Sequence, residues 1–215
     1  TELAGLDGSH DFLHIQRVLS LALTLAKMEG NVDMEVVQLG ALLHDVADWK
    51  YSGSESAGPN KARDWLVSQK YDPEKTEKVI EIIEGIGFKS ELALTKEQAI
   101  EKAARLPELA VVQDADRLDA IGAIGIARTF TFGGTRNTPL HDPTVPLSDP
   151  KLLTKEAYMA QGKKGGGSTV QHFYDKLLHL KDMMKTASGK SLAANRHKYM
   201  EEFLEQFLAE WNGER

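Results

Sequence analysis

Four residues that can bind a metal ion stand at positions that helices could bring together. His44 and Asp45 are adjacent and end an apolar run, His14 lies upstream, and Asp116 lies downstream. A divalent cation accepts imidazole nitrogens and carboxylate oxygens together, and this set leaves positions for water and a substrate oxygen. Such an arrangement suits metal-assisted hydrolysis. A His–Asp pair alone is more often a capped helix end, so the prediction depends on the other ligands.

The elements that must position these residues are predicted to be helices, and the predicted fold class is all-α. Apolar residues near helical spacing predict a helix over 10–29, and Asp33 is the expected N-cap of the helix that carries His44. A capping box of Thr95 and Gln98 is typical of another helix start. Further helices are predicted at 59–69, 72–84, 99–105 and 107–118. The small apolar residues 120–131 fit a buried strand by composition, but their length and their position after a helix favour a close-packed buried helix. The last 45 residues form two helical pieces broken near Ser188-Gly189.

Residues 133–168 differ in composition from the rest. They contain Gly133-Gly134, four of the seven prolines and the pair Lys163-Lys164. A long stretch with little regular structure is usually functional or mobile. We therefore expect a single domain over 1–215 with a Gly/Pro-rich insertion or lid at about 133–168.

Composition excludes several classes of function. The chain has 215 residues and a formal charge of −6, which argues against a broad nucleic-acid surface. It has no cysteine, and this excludes disulfides, thiolate–metal sites and cysteine nucleophiles. Neither a membrane span nor a signal peptide is expected. The expected location is cytoplasmic, without nucleic-acid or membrane partners, and a homodimer is left as one alternative.

His10, His14 and Arg17 share one face of the first predicted helix, because they are spaced by four and by three residues. A lone histidine on such a face is more often a core residue. Arg17 is poorly suited to a core, so a polar cleft lined by this face is the preferred interpretation.

Together these residues resemble the HD-domain superfamily of metal-dependent phosphohydrolases, in which a His, a His-Asp pair and a later Asp from helices surround one cation. A YpgQ/YedJ-like subgroup is the nearer resemblance, and it covers residues 8 to about 210. It is specific at the HD core and weaker over 133–168. The segments that carry it are 11–18, 41–49, 114–128, 130–134 and 172–178.

This resemblance implies a helical bundle around a single metal site. It favours His14 over His10 as the upstream ligand, because Arg17-Val18 follows, and Asp116 over Asp114, because the family pattern matches residues 115–118. Asp114 is then an outer contact of the site or binds a helix terminus. Residues 46–115 contain no histidine, which argues for one metal and against the di-iron oxygenase and cyclic-dinucleotide branches.

The resemblance also implies roles for other residues. Asp48 stands one turn after His44, where related stringent-response hydrolases have an acidic residue that orients or activates water. His10 is a candidate for proton transfer or a phosphate contact. Arg17 is the best candidate for binding phosphate, followed by Lys61, Arg128 and Lys176. The expected cofactor is one divalent ion, with manganese, nickel, cobalt, iron or magnesium left open.

The function that the resemblance implies is hydrolysis of a small-molecule nucleotide, namely a (deoxy)nucleoside triphosphate with release of pyrophosphate. A 5′-nucleotidase that acts on monophosphates is the enzymatic alternative. A nucleotide-sensing module that retains the metal only for structure is the alternative that is not an enzyme.

Overall fold

The computed structural model describes residues 12–46, 57–92, 94–148 and 167–214, and every regular element in these ranges is a helix. The fold is all-α, as predicted. No helix within these ranges is long and apolar enough to cross a membrane. The elements are α1 Phe12–Glu29, α2 Met34–Leu43, α3 Ala57–Ser68, α4 Pro73–Gly85, α5 Phe88–Leu92, α6 Lys96–Arg105, α7 Pro107–Asp119, α8 Gly122–Thr135, α9 Thr169–Asp175, a 3₁₀ helix Leu177–Met183, and α10 Ala187–Trp211.

Local capping signals start several of these helices. The Asp33 carboxylate accepts hydrogen bonds from two backbone N–H groups in the first turn of α2. Thr95 and Gln98 form the predicted capping box of α6, and prolines 73 and 107 begin α4 and α7. The side chains of Asp33, Thr95 and Gln98 accept hydrogen bonds from backbone N–H groups that a helix start otherwise leaves unpaired. Proline has no backbone N–H group, so it leaves none unpaired at that position. These predicted starts are confirmed.

The chain forms two compact units, and the first contains α1 to Asp116 of α7 together with Lys185–Ser188. In this unit α2 packs against α1 and α4, and α3 also packs against α4. A Cβ added at Gly40 of α2 would lie 3.1 Å from two carbons of Ile82 on α4, so the glycine permits a close approach. The apolar core of this unit includes Val18, Ala22, Leu25, Val36, Val37, Ala41, Leu66, Val79 and Ile82.

A cluster of charged residues fixes the start of α2 within the first unit. Buried Glu108 accepts a hydrogen bond from the Asp33 backbone N–H at 2.8 Å. The Lys75 ammonium lies 3.1 Å from Asp33 and 2.6 Å from Glu35. Burial raises the pKa of Asp33, but the hydrogen bonds from Lys75 and from the backbone lower it by more. The pKa of this carboxyl therefore lies below its ordinary value. The cluster holds the N-terminus of α2 against α4 and α7.

The second unit contains Arg117–Met184 and the chain from Gly189 onward. Its polar interior includes an ion pair at 2.8 Å between Arg128 of α8 and the buried carboxylate of Asp119. The Arg196 guanidinium donates to the Leu118 carbonyl oxygen. An aromatic row runs along α10 with neighbouring ring centroids 5.2–6.3 Å apart, and it comprises Phe130, Phe173, Phe203, Phe207, Trp211 and His141.

Two predictions on the C-terminal half have different outcomes. The small apolar segment after α7 is helical, as preferred, and runs to Thr135. The predicted break near Ser188-Gly189 is present but lies slightly earlier, at 184–186, and these two residues themselves lie in the first turn of α10. Residues 136–148 contain no helix, whereas 149–166 lie outside the described residues. The single domain with an insertion or lid stays a prediction.

Candidate metal centre

His44 is held at the end of α2 with one ring nitrogen committed to the backbone. It is the C-cap residue, and its Nδ1 lies 2.9 Å from the carbonyl oxygen of Ala41. A carbonyl can only accept, so Nδ1 carries the proton and donates it. The Nε2 atom then presents a lone pair, which is the form in which an imidazole binds a metal.

His14 reaches the same point from α1. Its side chain is 3% exposed, and its ring meets that of His44 edge to face at a centroid distance of 5.5 Å. The two imidazoles therefore come from the two helices whose packing forms much of the first unit. The position of each ring follows from that packing rather than from a flexible loop.

Two carboxylates complete the cluster. Asp45 Oδ2 lies 3.5 Å from His14 Nε2 and 3.6 Å from His44 Nε2. From α7, Asp116 Oδ1 lies 3.5 Å and 3.9 Å from the same two nitrogens. The carboxylates are 22% and 35% exposed whereas the imidazoles are buried. The cluster therefore has a closed side formed by nitrogen ligands and an open side formed by oxygen ligands.

Four observations show that this cluster fits a divalent cation. Ligand atoms of His14, His44 and Asp45 all lie within 4.8 Å of one another. Two ligands bound at about 2.0–2.2 Å to one ion lie roughly 3.0–3.5 Å apart, close to the distances found here. The His44 Nε2 atom is buried and makes no hydrogen bond within the described part of the chain. A buried polar atom without a partner lowers the stability of the fold by roughly 1–3 kcal/mol, and a bound cation would supply that partner. Two carboxylates also balance a charge of +2.

Asp114 has a different environment from Asp116 although it lies on the same helix. It is fully buried, and its carboxylate accepts hydrogen bonds from the backbone N–H groups of Lys185 and Thr186 and from the Thr186 hydroxyl, at 2.8–3.0 Å. These donors stand immediately before α10. Of the two aspartates, Asp116 approaches the imidazoles and Asp114 binds the chain just before α10. Asp116 as the metal ligand stays a prediction.

The four predicted phosphate-binding residues lie in different parts of the chain. Arg17 is half-buried on α1, three residues beyond His14, and Lys61 is exposed on α3. In the second unit, Arg128 is paired with Asp119, and Lys176 lies between α9 and the 3₁₀ helix. Their contact with substrate stays a prediction, and Arg17 is the one that shares an element with a metal-ligand candidate.

The two remaining catalytic candidates, His10 and Asp48, lie outside the described residues, as does the pair Lys163-Lys164. Sequence reasoning did not find the bond between His44 Nδ1 and Ala41, nor the role of Glu29. Glu29 ends α1, where the helix dipole disfavours an acidic side chain, and it accepts a hydrogen bond from the Ser188 backbone N–H at 2.8 Å. An acidic residue at a helix C-terminus was the available signal of a distant partner.

Comparison with known families gives a match over the part of the chain that carries the cluster. The model of the HD domain matches residues 12–121. This segment contains all four candidate ligands and ends just after α7.

Relatives with solved structures extend the likeness to almost the whole chain. The YpgQ protein of Bacillus subtilis (strain 168) is 36% identical over 198 residues, which cover 92% of this chain and 82% of YpgQ. Its crystal structure in complex with ADP has a TM-score of 0.70 at 31% identity and covers 100% and 96% of the two chains. A protein of Lactobacillus plantarum reaches a TM-score of 0.80 at 34% identity, over 99% and 92%. An HD-superfamily hydrolase of Bacillus thuringiensis is 39% identical with a TM-score of 0.67, over 94% and 87%.

Proposed function

This chain belongs to the HD-domain family of metal-dependent phosphohydrolases, and from that premise we propose that its substrate is a nucleotide. The reaction is hydrolysis of a (deoxy)nucleoside triphosphate with release of pyrophosphate. The observation that carries the nucleotide is the ADP bound to YpgQ, a protein that matches this chain over nearly its full length. ADP supports a nucleotide as the ligand; a triphosphate as the substrate and pyrophosphate as the product are our extension of that observation.

We place one divalent cation on His14, His44, Asp45 and Asp116. Nitrogen and oxygen donors in equal number suit manganese, iron, cobalt, nickel or magnesium, and manganese is our first choice. When bound, such a cation polarises a phosphate oxygen and lowers the pKa of water. The lone pair of His44 Nε2 and the charge of the two carboxylates are what the chain contributes to this site.

The described residues have two tasks in this reaction, to fix the geometry of the site and to bind phosphate. The buried imidazoles fix the geometry of the site, because packing and the bond from His44 Nδ1 to Ala41 prevent their rotation. Arg17, one helical turn from His14, binds a phosphate oxygen through its guanidinium. Lys61, Arg128 and Lys176 are further proposed phosphate contacts.

Asp48 and His10 are proposed from sequence for water activation and proton transfer. Asp48 accepts the proton of the attacking water, and His10 donates a proton to the leaving phosphate oxygen. The water oxygen forms a bond to the α-phosphorus while the bond between that phosphorus and the α–β bridging oxygen breaks. One water and one nucleoside triphosphate then give one nucleoside monophosphate and one pyrophosphate.

A panel of nucleoside tri-, di- and monophosphates, with ribose or deoxyribose, tests this proposal with each of the five metals. Phosphate is measured with and without added inorganic pyrophosphatase. Phosphate that appears only after pyrophosphatase, and only from triphosphates, supports the proposal. Direct release from monophosphates would replace it with a 5′-nucleotidase, and binding without any release would indicate a nucleotide sensor.

Two variants with the same chemical change separate the site from the surface. Asp45→Asn removes one carboxylate from the cluster and should abolish metal retention and phosphate release. Asp64→Asn removes a carboxylate from the exposed side of α3 and should change neither. Equal activity of the two variants would contradict the proposed site.

A further inference from the structure

We propose that Asp114 is a positioning residue of the metal centre. Its carboxylate binds the backbone of Lys185 and Thr186 and thereby sets how α7 is rotated about its axis. That rotation aims Asp116 at the two imidazoles. The inference rests on the proposed metal site and adds a residue that does not touch the cation.

The contacts of Asp114 are numerous for one buried side chain. Its Oδ2 accepts from the Thr186 backbone N–H at 2.8 Å and from the Thr186 hydroxyl at 2.8 Å. The Lys185 backbone N–H lies 3.0 Å from both carboxylate oxygens. The side chain is completely buried. Hydrogen bonds to a charged group are stronger than neutral ones, and a buried carboxylate is costly without them, so this residue tolerates little movement.

Opposite placement on α7 links these contacts to Asp116. Two residues along an α-helix correspond to a rotation of about 200°, so Asp114 and Asp116 project from nearly opposite sides. Their exposure agrees, because Asp114 is buried whereas the Asp116 side chain is 35% exposed. A rotation of α7 that moved Asp116 away from the imidazoles would pull Asp114 away from its donors.

A neighbouring residue holds α7 from another direction. Buried Gln113 donates from Nε2 to the carbonyl oxygen of Gly85 at 3.2 Å, which is the last residue of α4. Two consecutive polar side chains of α7 therefore bind backbone groups in different segments of the first unit. Neither residue is a proposed metal ligand, so both can change without removing one.

Glu29 provides a matched control within the same unit. Its carboxylate accepts from the backbone N–H and the hydroxyl of Ser188, in the first turn of α10, so it makes the same kind of contact as Asp114. However, Glu29 lies at the far end of α1 from His14, fifteen residues or roughly 22 Å along the helix. Losing this contact should reduce stability without turning a metal ligand.

The experiment compares Asp114→Asn with Glu29→Gln. Thermal unfolding of the metal-free proteins measures stability, and titration with Mn²⁺ and Co²⁺ measures the metal dissociation constant. We expect both variants to unfold at a lower temperature than the wild type. Only Asp114→Asn should raise the metal dissociation constant, by about tenfold, the low end of the range for outer contacts of metal sites. It should also change the visible absorption of bound Co²⁺, which reports ligand geometry.

A milder pair covers the case in which Asp114→Asn does not fold. Thr186→Val removes one hydroxyl donor to Asp114, and Ser188→Ala removes one hydroxyl donor to Glu29. The first should weaken metal binding, to a smaller extent than Asp114→Asn, and the second should leave it unchanged. Equal metal affinity in the two members of each pair would overturn the role of Asp114. Failure of the wild type and Glu29→Gln to bind metal would overturn the proposed metal site instead.

Discussion

Gly40→Ala is the substitution that most directly tests how helix packing sets the metal centre. Gly40 lies four residues before His44, and an added Cβ would stand 3.1 Å from both Cδ1 and Cγ2 of Ile82 and 3.5 Å from Val112. Carbon atoms prefer about 3.5–4.0 Å, so two contacts are short by roughly 0.4 Å or more. Ile82 is fully buried and both of its branches are involved, so its side chain must shift within a packed core to relieve the two contacts.

The expected free energy combines two opposing effects. Alanine is favoured over glycine within a helix by about 1 kcal/mol. Overpacking of a core costs about 1–3 kcal/mol. The net effect lies between zero and about 2 kcal/mol of destabilisation on these values. Since α2 carries His44 and Asp45 with it when it moves from α4, metal affinity should fall as well.

Urea unfolding of the metal-free protein, with Ile82→Val as the second substitution, checks this reasoning. Alone, Ile82→Val should cost about 0.5–1.5 kcal/mol, the usual range for this change. In the Gly40→Ala protein, Ile82→Val also removes the Cδ1 atom that contacts the new methyl group. There, Ile82→Val should therefore lower the free energy of unfolding by at least about 0.5 kcal/mol less than it does in the wild type. Strictly additive effects, or a Gly40→Ala protein that is more stable with unchanged metal affinity, would refute the packing argument.

Two further outcomes are expected. Asp33→Asn keeps an N-cap residue but removes its charge. The pKa of Asp33 in the folded protein lies below its ordinary value of 3.8. The charged carboxylate therefore stabilises the fold at pH values above 3.8, and this stabilisation is lost as the pH falls through the folded pKa. In urea unfolding, the free energy of unfolding of Asp33→Asn should be lower than that of the wild type by less than about 1 kcal/mol at neutral pH. This difference should disappear in acid, and a difference that does not change with pH would contradict the reasoning. Asp48→Asn should retain about one metal per chain while kcat falls by about 10²–10⁴; normal kcat would remove Asp48 from the mechanism, and metal loss would make it a ligand.

Local chemistry allowed much of the first unit to be predicted from sequence. Asp33, the Thr95–Gln98 box and Pro107 act on donors within one turn, so their pattern alone indicates where helices begin. The His44-Asp45 pair was recognisable because its apolar helix has an abrupt polar end. The choice of Asp116 over Asp114 depended on family resemblance and stays a prediction; in the structure Asp116 lies 3.5 Å and 3.9 Å from the two imidazole nitrogens.

Long-range contacts explain why the helix break lies at 184–186 and not at Ser188-Gly189. The break assigned to Ser188-Gly189 rested on their weak helix propensity. In the structure, donors just before and within the start of α10 are bound by Asp114 and Glu29, which lie 72 and 159 residues away from their partners. No window of sequence contains both sides of such a contact. Arg128 and Asp119 are only nine residues apart, but their ion pair depends on the direction in which α8 leaves α7, which no local pattern gives.

The aromatic row along α10 gives the second unit its own optical reporter. Trp211 is stacked on Phe207 with an interplanar angle of 19° and meets the His141 ring edge to face, and it is the one tryptophan in the sequence of that unit. In the first unit, Trp65 stands half exposed on α3. Tryptophan emission depends on the rings and solvent around the indole, so the two residues respond to separate environments. The sequence has a third tryptophan, Trp49, so a protein with both Trp49→Phe and Trp65→Phe would retain Trp211 as its one tryptophan. The unfolding midpoint from its fluorescence, compared with that from circular dichroism, would tell whether the two units melt as one cooperative body.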